Sequence, residues 1–503
     1  MLLLGLDVGT SSIKVSIVDA ETRQALASAQ YPENESVILS KQPGWAEQSP
    51  ETWWECVQKT ILKVHASGVY DPGKIVAIGI AYQMHGLVLV DKDQRVLRDS
   101  IIWCDSRAVP YGEKAFESIG EEKSLAHLLN SPGNFTASKL AWVKDKEPAV
   151  YAKISRVLLP GDFIAMKLTG ETTTSISALS EGIFWDFIED RLSDDVFDYF
   201  GFDKGVIPSV QPVFSSHGGL TEAAAQLLSL KKGIPVTYKA GDQPNNALSL
   251  NVLRPGEVAA TAGTSGVIYG VSDRLTYDPQ SRVNSFAHVN YTSADKRIGV
   301  LLCINGTGIL NRWIRDLGGF GGIAPDYATL NRDAAGIDPG SDGLSVFPFG
   351  NGAERILNNR IPGAQIRGID LNKHGMAHLY RAGQEGIAFA FRYGLDIMRE
   401  NGMNPSVIRA GRANMFLSSI FSFAFVNATR VPVELYDCDG SVGAALGAGI
   451  GAGIFDEQDA FRAMRPLQLI EPDAVQRYEE LYQRWRETLI KTLIDADNVN
   501  ERE

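Results

Sequence analysis

Two short stretches decide how this chain is read. One is Gly5-Leu6-Asp7-Val8-Gly9-Thr10-Ser11-Ser12-Ile13; the other, half a chain later, is Gly263-Thr264-Ser265-Gly266-Val267. Around the first, residues 2–7 and 13–19 are apolar segments of strand length joined by a Gly/Ser/Thr turn over 8–12, which predicts a β-hairpin. Around the second, residues 256–262 and 267–271 repeat the pattern about the turn 263–266. One such echo at half-chain separation points to two related lobes, each with a strand–turn–strand loop able to receive phosphate. Small residues let backbone N–H groups approach an anion, and hydroxyls add donors. An ordinary hairpin turn accounts for either stretch taken singly.

Working outward, the 503 residues amount to about three ordinary domains in length. Lys plus Arg number 48 against 60 Asp plus Glu, a net charge of −12, and so acidic a balance argues against a nucleic-acid partner. A 44% hydrophobic and 21% charged composition is that of a packed protein. Cys56, Cys104, Cys303 and Cys438 form no CxxC pair, so neither a disulfide framework nor a zinc site is expected. The first residues carry no basic flank or cleavage site, so a secretory signal is not expected. The longest apolar run, 442–455, is Gly/Ala-rich and too short for a bilayer. A cytoplasmic chain without membrane contact is the expectation.

Residues 50–64 read as a helix capped by Ser49, with Trp53, Val57 and Leu62 on one face. Residues 74–82 and 87–91 read as strands, and the alternation of strands and helices to about residue 250 predicts a layered α/β domain. After a cap at Asp473, the stripe Tyr478, Leu481, Tyr482, Trp485 and Leu489 predicts a closing helix whose aromatics are core.

Three segments carry chemistry. Asp7, at a strand end beside the first turn, could hold a metal, and oxygen ligands suit Mg²⁺. No P-loop and no strand-coupled G-x-G-x-x-G accompanies it, which disfavours those two nucleotide folds. Ala240-Gly241-Asp242-Gln243-Pro244-Asn245-Asn246 follows the apolar strand 234–238. A carboxylate there suits general-base work on a hydroxyl; capping of a helix over 246–251 is the other reading. Gln83-Met84-His85-Gly86 lies between two strands and offers polar tips and an adaptable apolar one, a mixture suited to a polyol. A lone His among seven dispersed ones is otherwise structural.

With these segments in view, the sequence resembles the FGGY carbohydrate kinases of the actin/hexokinase-like ATPase superfamily, most closely their xylulokinase branch. The resemblance covers nearly the whole chain. It includes the first loop, Trp45-Ala46-Glu47-Gln48-Ser49-Pro50-Glu51-Thr52-Trp53-Trp54, Gln83-Met84-His85-Gly86 and Trp103-Cys104-Asp105-Ser106-Arg107. It continues through Phe135-Thr136-Ala137-Ser138-Lys139-Leu140-Ala141-Trp142-Val143, Leu159-Pro160-Gly161-Asp162-Phe163, Gly241-Asp242 and Gly263-Thr264-Ser265-Gly266.

The resemblance implies an α/β fold of two actin/hexokinase-like (ribonuclease H-like) lobes with a central cleft, residues 1–248 and 249–503. It implies Asp242 as the catalytic base and Asp7 as the carboxylate that organises Mg²⁺ and ATP. Gly9, Thr10, Ser11 and Ser12 would form one phosphate loop and Gly263, Thr264 and Ser265 the other, with Ala410, Gly411 and Asn414 at the adenine. Gln83, Met84, His85, Trp103 and Gln243 join Asp242 as sugar contacts. The implied reaction is ATP-dependent phosphorylation of a pentulose, D-xylulose to D-xylulose 5-phosphate, and members of the family are often homodimers. A kinase for another ketose or polyol (ribulose, fuculose, erythritol, glycerol), or a sugar-binding member without catalysis, are the alternatives. Three departures stand out: Gln243 where many xylulokinases have Asn, Arg409 and Ala410 where the adenine loop has glycines, and Ala353-Glu354-Arg355-Ile356-Leu357 in place of Gly-Glu-Arg-Thr-Pro. Arg409 could stack on adenine, face solvent or alter nucleotide preference.

Overall fold

The computed structural model describes residues 1–319 and 323–500, with side chains as far as Asp495. One sheet comprises β1 (Leu2–Val8), β2 (Ile13–Asp19), β3 (Ala25–Tyr31), β4 (Ile75–Tyr82) and β5 (Val236–Gly241), in spatial order β5-β4-β1-β2-β3. The other comprises β6 (Val258–Ala262), β7 (Gly266–Ser272), β8 (Asn284–Ala287), β9 (Ile298–Ile304), β10 (Ile408–Gly411), β11 (Val433–Tyr436) and β12 (Gln468–Ile470), in order β8-β9-β7-β6-β10-β11-β12. In each, an antiparallel hairpin (β1–β2, β6–β7) has two parallel strands added beside its first strand (β4 and β5, β10 and β11). The echo of the two G-T-S turns is therefore an echo of topology, and the architecture is the two-lobed α/β one expected.

The helices that matter here are α1 (Pro50–His65), α2 (Thr136–Lys146), α3 (Ile176–Glu181), α4 (Asp242–Ser249), α5 (Gly308–Leu317), α6 (Tyr327–Ala335), α7 (Met376–Glu400), α8 (Gly440–Gly451) and α9 (Val475–Asn500). Successive side chains of a strand point to opposite faces, and this decides what lies on either side of β1. Leu2, Leu4, Leu6 and Val8 join Trp53, Val57, Ile61 and Val64 of α1 in one core. Leu3, Gly5 and Asp7 take the other face, which α8 covers: Leu3 packs with Ala444, Ala445 and Ala448. A Cβ on Gly5 would stand 1.8 Å from the Ser441 carbonyl oxygen. In β4, Ala77 and Ala81 belong to the same core as α8, and Gly79 presses against the Ala444 carbonyl. Period two thus carries Asp7 to the N-terminal end of α8.

The helix α8, which leaves the second sheet, lies on the first, and α4, which leaves the first, packs against the second. Ala247 of α4, with Leu250 and Val252 just beyond it, shares a core with Ala259, Val267, Tyr269 and Val271. The crossed pair joins the lobes, and Asn245 Nδ2 donates to the Gly440 carbonyl at 2.9 Å where the two helices begin.

Three local expectations change, at Leu62, Asp242 and Asp473. Leu62 is 41% exposed, and Ile61 instead completes the buried stripe of α1, because the core-facing positions run 53, 57, 61 and 64 at helical spacing. Asp242 neither caps nor precedes a helix over 246–251; it is the first residue of α4. The Val442–Phe455 run is mostly α8, a buried interlobe helix whose alanines and glycines permit its close approach to the sheet. Asp473 is not a side-chain cap for α9: its Oδ1 accepts from Asn427 Nδ2 at 3.5 Å, while the Asp473 and Ala474 amides donate to Asn427 Oδ1 at 2.9 and 2.6 Å. The aromatic stripe of α9 is core: Tyr478, Tyr482, Trp485 and Leu489 are buried, Trp485 stacking on Phe347 at 5.1 Å. Among the described residues no helix is long and apolar enough to cross a membrane.

Candidate active site

Asp7, near the end of β1, lies within electrostatic reach of Asp439, which precedes α8, and of Asp242, which begins α4. Asp7 Oδ2 would lie 2.5 Å from any Cβ on Gly440, so only glycine there lets the carboxylate meet the N-terminus of α8. Asp439, the N-cap of α8, accepts from Ser441 N at 2.8 Å and from Lys14 Nζ at 3.3 Å. Burial opposes the charge on Asp439, but the Ser441 and Lys14 contacts hold its carboxyl below the ordinary range. Asp7 responds oppositely: burial, then the charge of Asp439, push it up to about 6 against the pull of Lys14. Burial, then the charge of Asp7, push Asp242 up to about 7, opposed by hydrogen bonds from the Gln243 backbone and side chain. The Gln243 Oε1 is buried without a partner among the described residues, an acceptor available to a hydroxyl.

The first Gly/Thr/Ser turn is held from outside. Gly9 N donates to Ser12 O at 3.2 Å and Ser36 N to Ser11 O at 2.7 Å. Thr10 sits in a chain of side chains: Trp103 Nε1 donates to Thr10 Oγ1 at 3.0 Å, which donates to Gln83 Oε1 at 3.1 Å, while Gln83 Nε2 reaches Gln48 Oε1 at 3.3 Å. Gln83, expected among the sugar contacts, is therefore buried as a brace for this turn. Trp103 is 52% exposed beside it. The second turn is braced by α5: Gly308 N and Ile309 N donate to the carbonyls of Gly263 and Thr264 at 2.8 and 3.2 Å. Gly308 is required there, since a Cβ would fall 2.4 Å from Gly263 O.

Beyond the second turn a cavity of about 390 Å³ opens between α5, α6, α7 and the segment 414–418. Its walls include Gly263, Thr264, Tyr327, Asn414 and Leu417, and Asn311, whose Oδ1 has no partner among the described residues. Asn414 is thus at the cavity; Ala410 and Gly411 are not on its wall. Ala410 is fully buried within β10, and Gly411 ends that strand near Cys438. Arg409 turns away from the cavity, pairing with Glu257 and Glu434, each at 3.4 Å, and donating to Asn251 O. Replacing Arg409 by Gly should therefore leave the nucleotide KM within twofold and cost about 1 kcal/mol of stability, read by steady-state kinetics and denaturant unfolding. Asn311, Tyr327 and Leu417 were invisible to motif reading because they come from elements with no local signature.

Met84 lies beneath Gly241, the residue before Asp242: a Cβ there would stand 2.6 Å from Met84 Cγ and 3.4 Å from Glu181 Oε2. His85 Nδ1 lies 3.0 Å from the Glu181 carbonyl. A carbonyl only accepts, so Nδ1 carries the proton and Nε2 is a bare acceptor. Burial, then the charge of Lys139, drive His85 down to about 3, so the ring is neutral at physiological pH. Phe135 and Phe286 enclose it at centroid distances of 4.8 and 5.4 Å, and Phe286 comes from β8 of the second sheet.

A cleft between two topologically matched sheets therefore holds raised carboxyls, two braced Gly/Thr/Ser turns and a neutral histidine. Residues 2–249 and 258–453 match, respectively, the N-terminal and C-terminal domains of the FGGY family of carbohydrate kinases. The chain belongs to that family. Among FGGY relatives, it is 28% identical to a xylulose kinase of Klebsiella pneumoniae, over 93% of each chain. It is 27% identical to that of Escherichia coli strain K12, over 96% of this chain and 97% of the other. The solved xylulose kinase from Rhodospirillum rubrum superposes with a TM-score of 0.86 at 27% identity, covering 98% of this chain and 99% of that one. This FGGY protein is a xylulokinase-like sugar kinase.

Proposed function

We propose that the protein transfers the γ-phosphoryl group of ATP to a pentulose, D-xylulose, giving D-xylulose 5-phosphate and ADP, with Asp242 as general base. The observation that carries this reading is the Asp242 carboxyl at the start of α4, whose pKa burial and the charge of Asp7 raise to about 7. A base poised near the working pH combines availability with driving force. Because phosphoryl transfer has a loose transition state, Asp242 accepts the hydroxyl proton as the O–P bond forms, and positioning supplies most of the rate. The relatives named xylulose kinases support the choice of sugar.

In this reading the lobes are residues 1–248 and 249–503. The turns 9–12 and 263–265 cradle phosphates, and the cavity by Asn414 takes the base, its Asn311 Oδ1 facing an exocyclic amine. Met84, His85 and Gln243 meet the sugar; Trp103 flanks it, and Gln83 acts through Thr10. Asp7 is the residue that would hold Mg²⁺. Among the described residues no group of three His, Cys, Asp or Glu side chains makes a closed metal cage. A carboxylate raised by burial and by the charge of Asp439 instead suits a cation that keeps waters and substrate phosphates as its remaining ligands. When bound, that ion would neutralise phosphate charge.

Two measurements test the reading. ADP release with ATP and Mg²⁺ should strongly favour D-xylulose over D-ribulose, L-ribulose, glycerol and no sugar. Preference for another polyol moves the substrate, and silence with every sugar overturns the kinase assignment. The pH profile of kcat/KM reports the free enzyme, and protonated Asp242 cannot accept a proton. The rate should accordingly fall about tenfold per unit below about pH 7. A profile flat to pH 5 removes Asp242 from the role.

A further inference from the structure

Glu181, the last residue of α3, is a buried carboxyl that the proton transfer above does not use. It lies where the two substrate-facing segments of the first lobe meet. Its Oε1 accepts from Tyr82 Oη at 2.6 Å, at the end of β4, and its Oε2 accepts from the His85 amide at 3.3 Å. The same Oε2 would lie 3.4 Å from a Cβ on Gly241, the residue before Asp242. Its own carbonyl takes the His85 Nδ1 proton. Side chain and backbone of one residue thus grip both ends of His85 and abut the turn that delivers the base.

The grip answers a local cost. His85 has φ +62°, a left-handed conformation that is strained for a residue with a Cβ and persists only where the surroundings over-determine it. Three contacts do so: Glu181 Oε2 on the amide, Glu181 O on the ring, and Lys139 Nζ of α2 donating to the His85 carbonyl at 2.8 Å. Without the carboxyl, the His85 amide and the Tyr82 hydroxyl would be buried donors lacking their acceptor, and the backbone could relax toward φ < 0. The imidazole, and with it the bare Nε2, would then turn from its present direction.

We propose that Glu181 is a positioning residue for the sugar: it holds His85 in the left-handed turn that aims Nε2 as an acceptor at a substrate hydroxyl, at a set spacing from Asp242. This rests on the sugar-kinase reading of the site. Its action runs through His85, which separates it from a residue that merely supports the fold.

A double-mutant cycle on the full-length protein tests it, using whichever ketose the wild type phosphorylates fastest. Glu181→Ala is expected to raise the sugar KM about tenfold or more, with ADP affinity within twofold of wild type by calorimetry. In a His85→Ala background the same change should lower kcat/KM by less than twofold, because the contact it positions is already gone. Additive losses in the two backgrounds, or an unchanged KM in Glu181→Ala, overturn the proposal. If Glu181→Ala does not fold, Glu181→Gln enters the same cycle; it retains one acceptor, so a threefold to tenfold rise in KM that vanishes with His85→Ala is expected. A wild type inactive on every ketose would instead overturn the functional reading, whatever the variants do.

Discussion

Asp242→Asn is expected to lower kcat by about a thousandfold, the middle of the range for loss of a positioned general base, while ADP binds within twofold of wild type by calorimetry. The amide keeps the shape of the group and its place at the start of α4 but cannot accept the proton. A second consequence distinguishes this variant from a damaged one. Burial and the charge of Asp7 both oppose ionisation of Asp242, which raises its folded pKa from 3.8 to about 7. A raised carboxyl favours the folded state fully below the unfolded pKa, and that contribution is lost as pH rises through the folded one. The Asn variant is neutral throughout, so without ligands it should melt above wild type at pH 8, with the difference shrinking toward pH 4. Near-normal turnover in Asp242→Asn would remove the base, and a lower melting temperature at pH 8 would contradict the electrostatic account of the cleft.

Gly79→Val should cost at least about 4 kcal/mol, a loss reserved for severe overpacking or similar defects. A Cβ at residue 79 would lie 1.9 Å from the Ala444 carbonyl oxygen and 2.8 Å from its carbon, both in the backbone of α8. Neither can swing aside as a side chain would. Relief requires α8 to leave the first sheet, and α8 begins at Gly440 beside Asp7. The variant should therefore lose sugar-kinase activity along with stability, read as a shifted midpoint in urea. Gly336→Ala is the control: it follows α6 at φ −76°, with only a backbone oxygen at 3.6 Å from the added carbon, and should change stability by less than about 1 kcal/mol. Equal behaviour of the two variants would show that α8 is not closely packed against β4.

Local pattern alone carried much of the fold. The apolar run at residues 2–7 predicts a strand, and period two then fixes the face of Asp7 once α1 and α8 are seen on either side of β1. The repeated Gly-Thr-Ser turn reports two lobes of like topology, since the same chain geometry asks for the same small residues. Family motifs, read in order, pointed to a sugar kinase before any contact was known. Elements whose partners are distant were read less well. Leu62 and Ile61 are adjacent apolar positions of α1 that look alike in sequence, and only the packed face shows that Ile61 is the core residue. The entry to α9 is held by Asn427, some forty-six residues before Asp473, and no local rule finds such a donor–acceptor pair.

What the sequence determined by itself is the set of short-range features: the two hairpins, the turns between them, the small residues of α8 and the chemical types available for catalysis. Tertiary structure decided how those types are employed. Gln83 braces Thr10, Arg409 pairs with Glu257 and Glu434, and Asn311 and Tyr327 line the cavity beside Asn414. The pKa values of Asp7 and Asp242 likewise belong to the assembled molecule. Isolated carboxyls titrate near 4; only the crossing of α4 and α8 between the sheets buries these two near one another and near Asp439. Burial and charge proximity are sums over segments hundreds of residues apart, so they arise only once the chain has closed.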